Sequence, residues 1–156
     1  MSSPIERPPA LLSSPTYLTS WVAKRARADV QVALAEHGLA TSDYGVLVAL
    51  ADFGPLSQQQ LADRLDADKS HVVRLIDQLE RRGLVTRAAD PSDRRRHRIA
   101  LTDAGGSVLR AASPATKEIE AAQLQALSAS ERRTLATLLQ RVLASQDNAR
   151  AGQGRR

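Results

Sequence analysis

Apolar positions in this chain follow helical spacing over most of its length. Leu18, Val22, Ala26, Val30 and Ala33 recur every three or four residues, as one face of a helix does. Ser14-Pro15 supplies a cap residue and a proline for the first helical position, and Gly38 supplies a stop, so a helix is predicted from 15 to 37. Ser42 is expected to cap a second helix through Asp52, with Val46, Leu47 and Leu50 inward and Phe53-Gly54-Pro55 ending it. A short helix, roughly 58 to 65, follows with Ser57 as its cap. The turn Asp66-Ala67-Asp68 leads to a longer helix that reaches Arg82 and is closed by Gly83. In that helix Val72, Leu75, Ile76 and Leu79 fall at i, i+3, i+4 and i+7 and share one stripe.

The period changes after Gly83. Leu84 to Arg87 and Arg98 to Leu101 predict two short strands, joined as a hairpin by the polar tip Asp90-Pro91-Ser92-Asp93 and an arginine run. Thr102 then caps a long helix to about Leu127, where Pro114 in the middle predicts a kink or a break. Ser128-Ala129-Ser130-Glu131 has the spacing of a capping box, in which Ser and Glu each satisfy a free backbone N–H. It opens a last helix with Leu135, Leu138, Leu139 and Val142 on one side. From Gln146 the pattern is lost and a frayed tail is expected, and no internal repeat is present.

Composition narrows this picture. At 156 residues the chain suits one well-buried domain, and with 3% aromatics its core must come from Leu, Val, Ile and Ala, which favours packed helices. The net charge of +5 is concentrated: between Arg81 and Arg98 seven arginines stand against Asp90 and Asp93, so that segment alone carries the excess. A basic cluster suits a polyanion, although a solvated charged loop is the usual reading of such a run until a neighbouring motif argues otherwise. The 19 arginines against three lysines are not read as function, since codon composition accounts for such a bias. Cysteine is absent, which excludes disulfides and thiol redox sensing. No apolar run approaches the ~20 residues that cross a bilayer, and the Pro-containing N-terminus lacks the order of a signal peptide, so a soluble cytoplasmic protein without membrane partners is expected.

The neighbouring motif is the helix pair from Ser57 to Arg82. Opposite the apolar stripe of the longer helix, Ser70, Arg74, Asp77 and Arg81 point outward, flanked by His71, Val73 and Gln78. A DNA-reading helix needs this division: one face packed on its partner, and short or forked polar groups on the other. Arg74 has the fork to bond both guanine acceptors in the major groove, Ser70 and His71 reach base edges or phosphates, and Val73 suits a thymine methyl. The plainer alternative for Arg74 is an i, i+3 ion pair with Asp77. Ser57 and Gln58 open the preceding helix, where free N–H groups favour a phosphate, and ordinary capping by Ser57 is compatible with that role. On the hairpin, arginines entering a minor groove gain from its negative potential, and Asp93 can hold a neighbouring guanidinium in a bidentate pair. The alternative there is contact with phosphates or solvent only.

These residues resemble the multiple-antibiotic-resistance regulator (MarR) family of bacterial transcription factors. The resemblance covers most of the chain and is strongest over Leu56-Ser57-Gln58-Gln59-Gln60-Leu61-Ala62, the run from Lys69 to Val85, Asp90-Pro91-Ser92-Asp93-Arg94-Arg95, and Leu101-Thr102. It implies a mainly α (α+β) fold: a winged helix-turn-helix whose N- and C-terminal helices form a dimerisation domain. The organisation expected is a flexible arm at 1–14, helices of a dimerisation and ligand region at 15–53, the DNA-binding lobe at 54–102, C-terminal dimerisation helices at 103–147 and a flexible tail at 148–156. It also implies a homodimer placing two recognition helices in successive major grooves of a pseudo-palindromic operator in double-stranded DNA. By position Arg95 resembles the family's minor-groove arginine with Asp93 supporting it, and Ser70, Val73 and Arg74 fall where the recognition helix meets DNA. Val73 departs from the commoner Thr, which puts base preference in doubt. The whole expected contact set is Ser57, Gln58, Lys69, Ser70, His71, Val73, Arg74, Gln78, Asp93, Arg94, Arg95 and Arg96. The outer helices carry more apolar surface than one small winged domain buries, and Leu11, Leu12, Leu18, Val22, Leu135, Leu138, Leu139 and Val142 are the candidate dimer core.

The resemblance also implies a small phenolic or anionic effector. Tyr17, Trp21 and Arg25 lie at i, i+4 and i+8 on the first helix, with Tyr44 on the second, a set able to hold an aromatic acid. Packing or dimer contact is the plainer role for Tyr17 and Trp21. His37, His71 and His97 lie on separate elements without paired spacing, so no metal or other cofactor is expected. No nucleophilic triad, phosphate-cradling glycine loop or carboxylate pair in a cleft is evident, so the chain is not expected to be an enzyme. The leading class is a sequence-specific transcription regulator, usually a repressor. The others are a nonspecific or architectural DNA-binding protein and a winged helix that binds protein instead.

Overall fold

The computed structural model describes residues 5–90 and 93–153, with the side chains of 90, 93–96 and 151–153 outside the description. Among the described residues the order is α1 (Pro9–Leu12), α2 (Pro15–Ala35), α3 (Thr41–Phe53), α4 (Gln58–Arg64), α5 (Lys69–Arg81), β1 (Val85–Asp90), β2 (Asp93–Leu101), α6 (Asp103–Gln123) and α7 (Ala129–Gln153). The chain divides into two compact units, Met1–Ile119 and Glu120–Arg156.

The core of the first unit is aliphatic, as the scarcity of aromatics requires. Its largest fully buried side chains are Leu34, Leu47, Leu61, Ile76, Leu79 and Ile99, which come from α2, α3, α4, α5 and β2. Val46, Leu47 and Leu50 face inward on α3 as their spacing predicts, and Gly54 ends that helix at φ 73°, a conformation glycine adopts without a Cβ penalty. β1 and β2 pair antiparallel from Val85–Leu101 to Asp90–Asp93, with an irregularity between Ala89 and Asp90. Leu56 adds an isolated bridge on the other side of β2, exchanging both backbone hydrogen bonds with Ile99 (3.0 and 2.7 Å). The hairpin is thereby anchored at the loop that feeds α4.

Several boundaries differ from the sequence expectation. The second helix starts at Thr41, and Ser42 is not its cap: the Asp43 carboxylate accepts the Ala40 N–H at 3.0 Å and does that work from inside the first turn. Ala40 has no side-chain acceptor, so only the carboxylate half of a capping box exists there. A short helix, α1, lies within the stretch expected as an arm. The strands are longer than predicted, because cross-strand hydrogen bonds carry pairing into the polar residues and take the arginine run into β2. α6 passes unbroken through Pro114 and stops at Gln123, short of Leu127. Beyond it Leu127 N–H turns back to the Leu124 carbonyl at 2.9 Å, which sets up the capping box at Ser128 and Glu131. α7 then continues to Gln153, past the point where the apolar pattern ends.

Two contacts seat α6 on the winged part. Thr102 Oγ1 accepts the Gly105 N–H at 3.0 Å and donates to the Gly83 carbonyl at 2.7 Å, joining the start of α6 to the end of α5. Gly105 is where the two backbones touch: a Cβ there would lie 2.1 Å from the Leu84 carbonyl oxygen. No helix among the described residues is long and apolar enough to cross a membrane.

Candidate nucleic-acid interface

The interface is built on α4, α5 and the β1–β2 hairpin. α4 begins with a capping box in which Ser57 Oγ accepts the Gln60 N–H (3.1 Å) and Gln60 Oε1 accepts the Ser57 N–H (2.9 Å). Ser57 is thus a cap, as one of its two expected roles required, and Ser57 and Gln58 are both partly exposed.

α5 buries Val72, Leu75, Ile76 and Leu79, the predicted stripe. Lys69, Ser70, His71, Arg74 and Gln78 are exposed on the rest of the helix, while Val73 is half-buried at the margin. Its N-terminus is held by Asp68, whose carboxylate accepts the Ser70 N–H (2.8 Å), the His71 N–H (3.1 Å) and the Ser70 hydroxyl. The Ser70 hydroxyl bond, followed by the backbone bonds, holds the Asp68 carboxyl below its ordinary value of 3.8. Asp68 stood in the predicted turn without a role; an Asp directly before a helical apolar stripe is a recognisable cap signal. Asp66 takes φ 46° in that turn, a left-handed conformation that Asp tolerates better than most residues.

The ion pairs redraw the basic run. Arg87 on β1 forks onto α5: its guanidinium donates to Asp77 and Glu80, and its backbone N–H donates to Glu80 Oε1 at 3.1 Å. These bonds, that to Asp77 first, raise the Arg87 guanidinium above the ordinary arginine value. Arg82 donates to Asp43 on α3 at 3.0 Å and to the Gly38 carbonyl at 2.6 Å. Among the described residues, Arg82 and Arg87 of this run are clamps between elements, so the surface for a polyanion is smaller than the linear charge count suggests. The plainer alternative for Arg74, an ion pair with Asp77, is not formed. Asp77 is bonded to Arg87, and among the described residues Arg74 makes no hydrogen bond or ion pair, though its charge acts weakly on the Asp68 carboxylate.

The backbone of Asp93, Arg94, Arg95 and Arg96 lies in β2, while the side chains on which the wing expectation rests are outside the described residues, as are Pro91 and Ser92.

The expected effector residues divide. Tyr17, Trp21 and Arg25 line a shallow pocket of about 200 Å³ with Arg7, Leu12, Leu18 and Val22. Tyr17 and Trp21 ring centroids lie 5.9 Å apart, and the Trp21 ring carries the Arg7 guanidinium at 4.4 Å and the Lys24 ammonium at 5.6 Å. Tyr44 does not line that pocket: it packs against the core and its hydroxyl pairs with Thr116 Oγ1 at 3.2 Å. Arg7 is the member the sequence did not point to, since no local spacing connects residue 7 with residue 21. Among the described residues no group of three or more His, Cys, Asp or Glu side chains is placed to hold a metal ion.

Comparison with known proteins bears on the fold and the family. The model of the MarR family matches residues 37–96, which span α3 to the hairpin. The chain is 32% identical over 111 residues to the HTH-type transcriptional repressor NicR of Pseudomonas putida, covering 71% of this chain and 70% of that one. The crystal structure of CouR from Rhodococcus jostii RHA1 bound to p-coumaroyl-CoA superimposes with a TM-score of 0.78 at 30% identity, over 86% of this chain and 95% of that one. A MarR-family regulator from Rhodococcus sp. RHA1 gives a TM-score of 0.79 at 29% identity, over 86% and 96%. With its winged helix-turn-helix fold and these relatives, the chain belongs to the MarR family of transcription regulators.

Proposed function

We propose that the chain is a repressor that binds a pseudo-palindromic operator as a homodimer and is released by a small aromatic or anionic ligand. The observation that carries the reading is the exposed face of α5, where Arg74 has no ion-pair partner among the described residues and lies opposite a fully apolar buried stripe. An unpaired guanidinium on such a face has the geometry for bidentate contact with guanine, which discriminates a base by about 1–3 kcal/mol. Ser57, Gln58, Lys69, Ser70, His71, Val73 and Gln78 surround it as phosphate and base-edge contacts. Asp93, Arg94, Arg95 and Arg96 extend the interface to the minor groove, with Arg95 as the inserted residue and Asp93 as its support. Dimerisation is supported by Leu11, Leu12, Leu18 and Val22 near the N-terminus and by Leu138, Leu139 and Val142 on α7, all exposed in the single chain. An effector is supported by the apolar pocket with cations at Tyr17, Trp21 and Arg25, and by the p-coumaroyl-CoA held by the relative CouR, an aromatic and anionic molecule.

Selection of bound duplexes from a random pool tests the reading. An enriched palindrome with half-sites about one helical turn apart is expected, and equal retention of all sequences would make the chain a nonspecific binder. Arg74→Ala is expected to relax preference at one position of each half-site. Arg95→Ala is expected to weaken all binding several-fold and reduce the salt slope by about 1. Wild-type behaviour of both variants would refute the site.

A further inference from the structure

Arg87 joins two parts that must meet DNA together. It sits on β1, the first strand of the hairpin, and both carboxylates it grips, Asp77 and Glu80, are on α5. All three side chains are partly exposed, at 24%, 43% and 36%, so the cluster lies at the surface beside the outward face of the helix. Asp77 is three residues from Arg74, within the spacing at which helical side chains pair. If Arg87 released it, Asp77 would have two cation neighbours on the helix, Arg74 at i−3 and Arg81 at i+4, and Arg74 is the one that base reading needs free. A guanidinium paired with a carboxylate has fewer donors left for guanine, and two free carboxylates beside a duplex repel its phosphates.

We propose that Arg87 is a positioning residue for DNA recognition: by occupying Asp77 and Glu80 it keeps Arg74 unpaired and holds the first hairpin strand on the recognition helix. This rests on α5 reading DNA, as proposed above. The forked geometry matters, because the guanidinium serves two carboxylates at once and its backbone N–H bonds one of them; a lysine ammonium supplies the charge without the fork. Loss of Arg87 therefore acts on specificity through Arg74, and not only on attraction through charge.

The test compares full-length wild type with Arg87→Met, Arg87→Lys and the double variant Arg87→Met with Asp77→Asn. The readout is the ratio of affinities for a selected operator and a random duplex at fixed salt. Arg87→Met is expected to lower that ratio about tenfold, Arg87→Lys less, and the double variant to recover most of it because Arg74 is freed again. A second readout needs no DNA: NMR of the Arg74 Nε–H, which is expected to exchange rapidly in wild type and in the double variant, and to become protected in Arg87→Met. An equal loss of affinity for both duplexes would make Arg87 a simple phosphate contact and overturn the proposal. So would a fall in thermal midpoint with an unchanged ratio, which marks a merely structural role. If wild type selects no operator the functional reading fails, and the Arg74 exchange measurement still decides whether Arg87 keeps that side chain free.

Discussion

At the scale of single residues, the carboxylates do most of the arranging. Asp68 caps the recognition helix, and its depressed pKa fixes the sign of its pH dependence. It contributes stability above the ordinary aspartate value of 3.8, and that contribution is lost as pH falls through the lower folded value. Glu131 behaves in the same sense at the start of α7, held below 4.5 by the Ser128 hydroxyl and then its N–H. Asp68→Asn keeps a capping acceptor that does not titrate. Thermal midpoints measured from pH 6 to pH 2.5 are expected to fall less steeply for Asp68→Asn than for wild type; parallel profiles would show that Asp68 does not contribute this way. The local signals were legible here: Ser57 reads as a cap, and Ser128 with Glu131 as a box, from spacing alone. Arg82 with Asp43 could not, because 39 residues separate them and no helical or strand period relates the two.

At the scale of elements, the register between α6 and the winged part depends on a missing side chain. Gly105 is buried in a helix, where glycine costs about 1 kcal/mol relative to alanine, so the sequence pattern alone makes it an odd choice. The carbonyl of Leu84 explains it, since an added Cβ would lie 2.1 Å away and the obstacle is backbone, which cannot rotate aside. Gly105→Ala is therefore expected to destabilise by roughly 1–3 kcal/mol, the range for overpacking a well-packed site, despite improving helix propensity. Urea unfolding measures it, and a variant as stable as wild type would mean that α6 can shift away from the Leu84 carbonyl at little cost. Pro114 shows the opposite limit of local rules. A proline inside a helix removes one hydrogen bond, yet α6 is continuous across it, with Leu109 and Ala112 buried on the preceding turn.

For the whole molecule, the single chain leaves two sets of large apolar side chains in water. One is near the N-terminus at Leu11, Leu12, Leu18 and Val22, and the other is on α7 at Leu138, Leu139, Val142 and Leu143. Leu18 with Val22, and Leu138 and Leu139 with Val142, were legible as helical faces, whereas Leu11 and Leu12 fell in the expected arm; what covers these faces was not legible, because periodicity defines a face without naming its partner. Leu138→Glu combined with Leu139→Glu places two charges on the α7 face without disturbing the buried core of the first unit. Sedimentation velocity is expected to give a monomer for this variant and a dimer for wild type, with operator affinity reduced more than tenfold as one half-site is lost. A variant that remains dimeric would remove α7 from the interface.

Apart from the short α1, the sequence by itself determined the order of elements, the apolar stripe of α5 and the outward position of Arg74, because caps, breakers and periodicity act over a few residues. Tertiary structure decided which charges remain free. Within the basic run Arg82 and Arg87 are bound to carboxylates from other elements, and among the described residues Arg74 has no ion pair although Asp77 lies three residues away, bonded to Arg87. It likewise gathered Arg7 with Trp21 and sent Tyr44 to Thr116. The physical reason is the same in each case: a hydrogen bond or ion pair depends on separation through space, and only the packed chain sets that distance.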